Sequence, residues 1–378
     1  MGEAPFRWSE RSRMMKRLIW PDYEKCIAGI PNSILKKFGC EPVGKTLPLL
    51  DRYLEKDYKN VVVLLLDGMG KHILERHLSE NGPFRSHMKD VLNSVFLSTT
   101  VASTTTALSG LQPCEHAWLG WDCYYPQVDK TVTVFLNKVQ GTDELAADFN
   151  VARTFTPYEN VQEKINKAGG SAYTVATFLP PFPDSIEGIC GGIKEACDKP
   201  ECKYVYAYFN EPDGLLHKYG CGSKEAHEAL VHIEEVVAKL ISELSDTLFI
   251  ITADHGHIDN KITWIQDYPN LMNCLVRLPA LEPRVLNFFI KDGMKEIFAK
   301  EFQKEFGDSF ILMPKKEVIE RKLFGTAPEH KCFEDMLGDY LAIATRDVSI
   351  FCTDSFTSMH GSITEDEVEI PLLVFGEK

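Results

Sequence analysis

Apolar residues along this chain come in short unbroken runs separated by amphipathic stretches, and that alternation sets the fold class. Residues 61–66, 203–209 and 247–252 are continuous apolar or aromatic runs with almost no polar alternation, as expected of strands buried on both faces of a sheet. Residues 131–136, 172–178 and 370–376 read as further strands. Between them, 71–78, 161–168, 185–198 and 223–244 carry apolar positions at helical spacing. Strands alternating with helices predict an α/β protein with a largely parallel central sheet covered by helices on both faces. Residues 1 to about 45, broken by Pro21, Pro31 and Pro42, read as a strap across the core with a short helix at 32–39, and 47–55 as another short helix. Beyond Pro269 the texture changes, with a run at 285–290, helical patterns at 293–306 and 315–323, and an apolar run at 310–313. The division expected is a core made of 1–271 and 343–378, with 272–342 as a small α/β cap insertion.

One stretch combines a strand-like start with an unusual density of hydroxyls. Val95-Phe96-Leu97 leads into Ser98-Thr99-Thr100, and residues 102–108 can carry a helix that stops at Gly110 with Pro113 beyond. A hydroxyl placed there sits at a helix N-terminus, where unpaired N–H groups and the helix dipole favour an anion such as a phosphoryl group. The same run also serves as a plain capping loop.

Charge and cysteine content narrow the partners. A formal net charge of -14 over 378 residues, with a pI near 5.3, argues against a nucleic-acid polymer as partner. A small anionic substrate remains compatible if metal ions supply the positive charge. The first 16 residues hold no apolar run of signal-peptide length, and no stretch is long enough to span a membrane. Eleven cysteines without C-x-x-C spacing fit reduced thiols in a cytoplasm. Cys190, Cys197 and Cys202 cluster in sequence but match no common zinc spacing.

Chemistry concentrates at the ends of the apolar runs. Residues 61–66 end in Asp67-Gly68, a position suited either to a ligand contact at a strand's carboxyl end or to a helix N-cap. Residues 203–209 lead into Glu211-Pro212-Asp213, with His217 four residues on, so one helical turn would put Asp213 and His217 on the same face as two ligands for one ion. Residues 247–252 end in Asp254-His255-Gly256-His257, and His360-Gly361 follows late in the chain. Several carboxylates and imidazoles at strand ends point to cations, because buried unpaired carboxylates are costly. Trp118, Trp121, Tyr124 and Tyr125 follow the hydroxyl-rich helix and offer a place for an aromatic base to stack.

Taken in this order, Asp67-Gly68, Thr100 with Thr106-Ala107-Leu108-Ser109-Gly110, Glu211-Pro212-Asp213 with His217, Asp254-His255-Gly256 and His360-Gly361 resemble the alkaline phosphatase superfamily, in its type I phosphodiesterase and nucleotide pyrophosphatase branch. The resemblance implies an alkaline phosphatase-like core and two divalent ions, zinc by ligand type with manganese or iron as alternatives. It implies that Asp213, His217 and His360 hold one ion and that Asp67, Asp254 and His255, with Thr100, hold the other. It further implies a phosphodiesterase or nucleotide pyrophosphatase working through a phospho-threonyl intermediate on Thr100. The chain departs from the pattern at Ser103, which stands where those relatives carry an asparagine on a phosphoryl oxygen; the substrate-binding role then falls to Ser103. Lysine and arginine are absent between Thr100 and Gly110, and the sulfatase signature is absent around Cys114. A phosphomonoesterase, phosphonate hydrolase or phosphomutase on the same core is the alternative, followed by a catalytically silent metal-binding protein. His257 is expected to support the ligands, with a substrate contact as the alternative. Small phosphate esters are the expected partners; oligomeric state, physiological substrate and the role of the cap are not legible.

Overall fold

Three of the apolar runs pair side by side. In the computed structural model, which describes residues 16–376, Asn60–Leu66 lies between Lys203–Phe209 and Thr247–Thr252, parallel to both. The reading of the first residues as lacking a signal peptide falls on 1–15, outside the described residues. Ala172–Ala176 extends the parallel set beyond Lys203–Phe209. On the other side Glu369–Phe375 pairs antiparallel with Thr247–Thr252 and with the edge strand Met88–Asn93. The six-stranded sheet is therefore mixed. The reversal has a simple cause: the chain enters Glu369 from the His360 loop at the carboxyl edge of the parallel strands, so its next strand must run back the other way.

Every residue of Asn60–Leu66 and Lys203–Phe209 is buried, as the unbroken apolar runs require of a sheet covered on both faces. One apolar core joins the sheet to Gly29–Lys37, Lys71–His77, Ile186–Asp198 and Lys224–Glu243. Side-chain caps start the last two of these helices: Ser185 accepts from Gly188 N–H and Ser223 from Ala226 N–H.

A second sheet has seven strands in the order Phe310–Pro314, Tyr340–Ala344, Val285–Phe288, Ala280–Glu282, Asp122–Tyr125, Lys130–Thr133, Lys138–Val139, all pairs antiparallel. Strands from the 272–342 segment thus share a sheet with residues 122–139. Tyr340–Ala344, which straddles the expected boundary between 342 and 343, is one of its inner strands. Val95-Phe96-Leu97 forms no strand. These residues are buried in a loop, and Phe96 packs edge-on against Phe324, 5.0 Å between ring centres; apolarity there marks burial rather than a sheet ladder.

The two sheets are joined by a fully buried ion pair. Arg284, just after Ala280–Glu282, donates from Nε and Nη2 to the two carboxylate oxygens of Glu367 at 2.6 and 2.8 Å, and Nη1 donates to the carbonyls of Arg346 and Val348. Glu367 also accepts from Ser362 N–H and the Thr364 hydroxyl, so its oxygens are well satisfied.

Candidate active site

The parallel register delivers the acidic residues to one edge at one level. Leu65 pairs with Thr252 and Leu66 with Phe209, so Asp67, Asp254 and the turn before Asp213 leave neighbouring strands together. The main chain ties them: Asp67 N–H donates to Phe209 O, and Asp213 N–H to Asp67 O. Asp213 opens the helix Asp213–Tyr219, which puts His217 one turn on, as its spacing requires. His360 arrives on the loop after Ser358–Met359, which pairs with Ile258–Asp259 just beyond His255. Gly68 and Gly256 let these loops close. Gly68 has φ +72° and a Cβ there would lie 3.0 Å from Asp213 Cα; a Cβ at Gly256 would lie 2.0 Å from the Asp366 carbonyl.

His255 Nε2 stands at the centre of one group of donors. It lies 3.3 Å from Asp67 Oδ1, 3.5 Å from Asp254 Oδ2 and 3.1 Å from Thr100 Oγ1. Asp213 Oδ1 centres the other, 3.4 Å from His217 Nε2, 3.8 Å from His360 Nε2 and 2.7 Å from His257 Nε2. Asp67, Asp213 and His255 also lie close enough to offer donors together, so the two groups adjoin through Asp213. Asp67, Asp254, His255 and His360 are buried, whereas Thr100, Asp213 and His217 keep partial access to solvent, which gives the site its open side.

These residues fit divalent ions on three counts. Asp67 Oδ1 and Asp254 Oδ2 are buried and have no hydrogen-bond partner, while their other oxygens are occupied, Asp67 Oδ2 by the Tyr208 hydroxyl and Asp254 Oδ1 by the N–H groups of Gly68 and His255. The imidazoles of His217, His360 and His255 turn Nδ1 to the carbonyls of Ser358, Ser98 and Gly256, leaving Nε2 to face the carboxylates. A tetrahedral ion with bonds of about 2.0–2.1 Å spaces its donors by roughly 3.3 Å, close to the separations around His255 Nε2. Among the described residues, every basic partner of these three carboxylates is an imidazole.

The electrostatics say the same. Burial, then the like charges of Asp254 and Asp213, push the Asp67 carboxyl well up, and burial raises Asp254 to about 7. Burial drives His255 down to about 3 and lowers His360 and His257. Burial also works against an ionised Asp213, but the surrounding His217, His257 and His360 outweigh it and hold that carboxyl well below its usual range.

Thr100 begins the helix Thr100–Ser109, which ends at Gly110 with φ +80°. The first intrahelical bond runs from Ser103 N–H to Thr99 O, so the N–H groups of residues 100–102 have no acceptor within the helix, the feature that suits a helix N-terminus to an anion. Ser103 is not brought to the site. It is buried one turn in, and its Oγ lies 2.8 Å from Ser94 Oγ, which donates to the Asp254 carbonyl. In this arrangement its hydroxyl is engaged by Ser94. Of the four aromatics, Trp118 and Tyr125 are buried, Tyr124 stacks under Arg277, and Trp121 stays 39 % exposed.

Two residues matter more than their sequence context showed. His257 joins Asp213 directly and reaches Ser358 Oγ with its other nitrogen. Glu282 closes the wall beside Thr99; it was unremarkable in sequence because its partner lies 183 positions away. Burial lifts its carboxyl to about 8. Its folded value lies above the unfolded value near 4.5, so the folded state holds the extra proton and stability is lost as pH rises from 4.5 through 8. Glu282→Gln, which does not titrate, is expected to gain several kcal/mol relative to the parent chain between pH 5 and pH 8. Urea midpoints at both pH values check this; equal shifts at both would count against it.

A sequence model described as type I phosphodiesterase / nucleotide pyrophosphatase matches residues 61–350, which contain every site residue named above except His360. The chain belongs to that family. Membership marks it as a hydrolase of phosphate esters, on the alkaline phosphatase superfamily fold. No curated protein matches the chain in sequence. Among solved structures it is similar to murine ectonucleotide pyrophosphatase/phosphodiesterase 5, at 18% identity over 84% of this chain and 88% of that one, with a TM-score of 0.63. The human counterpart gives 18%, 84%, 87% and 0.63. Phosphonoacetate hydrolase from Sinorhizobium meliloti, solved with phosphonoformate, gives 17%, 83%, 89% and 0.60. At these identities the likeness shows the fold alone; the mouse protein has also been solved, as an inactive variant, in complex with AMP.

Proposed function

We propose that this family member is a two-metal phosphodiesterase or nucleotide pyrophosphatase with Thr100 as its nucleophile. The observation that carries the reading is the position of Thr100 Oγ1. It stands at a helix N-terminus, 3.1 Å from His255 Nε2, beside two carboxylate oxygens with no hydrogen-bond partner. Asp67, Asp254, His255 and Thr100 would hold one ion and Asp213, His217 and His360 the other, with His257 orienting Asp213; the mixed imidazole and carboxylate donors suit zinc, then manganese or iron. When bound, such ions lower the pKa of a ligating hydroxyl and balance charge on a phosphoryl group.

The chain's own residues account for the rest. Thr100 Oγ gives up its proton to solvent and attacks phosphorus in line with the leaving oxygen; the ester bond to that oxygen breaks, the leaving group takes a proton from solvent and departs, and a phospho-threonyl enzyme forms. The N–H groups at the start of Thr100–Ser109 receive a phosphoryl oxygen whose charge grows in the transition state. Water then cleaves the phospho-threonine bond and returns the proton to Oγ. The absence of lysine and arginine from residues 100–110 favours a monoanionic diester over a dianionic monoester. All eleven cysteines are unpaired thiols, which supports a reducing compartment, and no helix among the described residues is long and apolar enough to cross a membrane.

The deciding assay compares bis-p-nitrophenyl phosphate with p-nitrophenyl phosphate on zinc-loaded protein, with metal counted on the same sample. Diester preference with about two ions per chain is expected. Monoester preference would move the chain to the phosphomonoesterase reading. Two ions without either activity would leave a phosphonate hydrolase, a phosphomutase or a silent binding protein.

A further inference from the structure

Glu282 lies in the wall of the site without belonging to either donor group. It ends the strand Ala280–Glu282 of the second sheet and is buried. Its Oε1 accepts two hydrogen bonds, from the Thr99 hydroxyl at 2.5 Å and from Trp121 N–H at 2.8 Å. Its stem packs on the turn after His360, since a Cβ built on Gly361 would lie 3.2 Å from Glu282 Cβ. One carboxyl therefore meets the turn before the nucleophile, the Trp121 segment and the His360 loop. Among the described residues no cation pairs with it, and the charged groups that face it are Asp122 and Asp213.

Thr99 is the N-cap of Thr100–Ser109, with extended φ -138° and ψ 152°. A threonine at that position ordinarily turns its oxygen onto the N–H of the second or third helical residue. Here it makes no such cap, and its hydroxyl proton goes to Glu282 instead. The bond has two consequences. It pins the side chain next to Thr100 to a buried acceptor on a different sheet, and it keeps Thr99 from occupying the N–H groups that an anion would use.

We propose that Glu282 is a positioning residue for the nucleophile: by holding the Thr99 hydroxyl it sets the turn that presents Thr100 and leaves the helix N-terminus open to a phosphoryl oxygen. The proposal rests on the reading of Thr100 as nucleophile. Acceptance by Oε1 is the property required, and a glutamine carbonyl supplies it equally well. The raised carboxyl supports this, because the side chain is largely protonated near neutrality and glutamine matches that form.

The test uses the full metal-loaded chain with bis-p-nitrophenyl phosphate, on Thr99→Val, Glu282→Ala, their double variant, Glu282→Gln and Thr100→Ala. Thr99→Val and Glu282→Ala are each expected to lower kcat by about 10- to 100-fold, the cost of a nucleophile held slightly out of line. KM should stay within about twofold and metal content should match the parent protein. The double variant should be no slower than the slower single, because both remove one interaction, and Glu282→Gln should recover kcat to within about threefold of the parent. Four results would overturn the proposal: either single at parental kcat, losses that multiply in the double variant, a loss lying in KM or metal content, or glutamine no better than alanine. Should Glu282→Ala fail to fold, Thr99→Val keeps the shape of the site and decides alone. If Thr100→Ala is inactive while Thr99→Val turns over normally, only the positioning role falls. If Thr100→Ala turns over normally, the nucleophile reading falls and this proposal with it.

Discussion

Thr100→Ala is expected to keep its metal and lose turnover on a phosphate diester by roughly 10³-fold or more, the scale seen when a nucleophile acting within a coupled set is removed. The retention of metal follows from geometry. Asp67 Oδ1 and Asp254 Oδ2 lie 3.3 and 3.5 Å from His255 Nε2, and each of the three side chains has a partner other than Thr100, His255 through Nδ1 at the Gly256 carbonyl. Asp254 is held by the N–H groups of Gly68 and His255, and Asp67 by the Tyr208 hydroxyl. The loss of turnover follows from chemistry, since no neighbouring hydroxyl can replace Oγ1. Thr99 is committed to Glu282, Ser103 to Ser94, and Thr104 donates to the Thr100 carbonyl. Acid quench of the parent enzyme with substrate should trap phosphate on the peptide containing Thr100, and Thr100→Ser should retain measurable turnover. A Thr100→Ala protein within tenfold of the parent would remove Thr100 from its role.

Arg284→Ala is expected to cost about 3–5 kcal/mol of stability, the range for breaking a buried pair and stranding its partner. Both side chains are fully buried. Hydrophobic replacement of both partners would not restore what is lost. Arg284 also serves two carbonyls, and Glu367 also serves Ser362 N–H and the Thr364 hydroxyl. Because the Glu367 carbonyl accepts from Gly256 N–H, the damage should reach the His255 loop and lower metal retention as well. Urea denaturation with metal counting on the refolded protein would show both effects; a midpoint close to the parent's would mean the pair contributes little beyond its own desolvation.

Local chemistry made much of this legible from sequence. Continuous apolar runs gave the central strands, because a strand covered on both faces has no solvent side to mark with polar residues. The spacing of Asp213 and His217 showed one helical face, and Gly110 marked the end of the helix Thr100–Ser109. What stayed hidden depends on distant partners. The direction of Glu369–Phe375 is decided by where the preceding loop stands, and its sequence carries no sign of that. Strands from residues 122–139 and 280–344 form one sheet although more than a hundred residues separate them, and nothing local announces such pairing. Ser103 is a different case: its place in a motif suggested a substrate contact, and the contact its hydroxyl makes with Ser94 becomes visible only once the helix phase is known.

The interior position of Glu369–Phe375 has a consequence for the protein's birth on the ribosome. Thr247–Thr252 emerges long before the strand that covers its free edge, and Met88–Asn93 waits longer still for the same partner. Until that strand inserts, a nascent chain carries two open ladders of N–H and carbonyl groups, one of them on a strand of almost wholly apolar side chains. Synthesis that stalls in this interval leaves a sticky, half-closed sheet, and a chaperone that shields it then would decide how much of the chain matures.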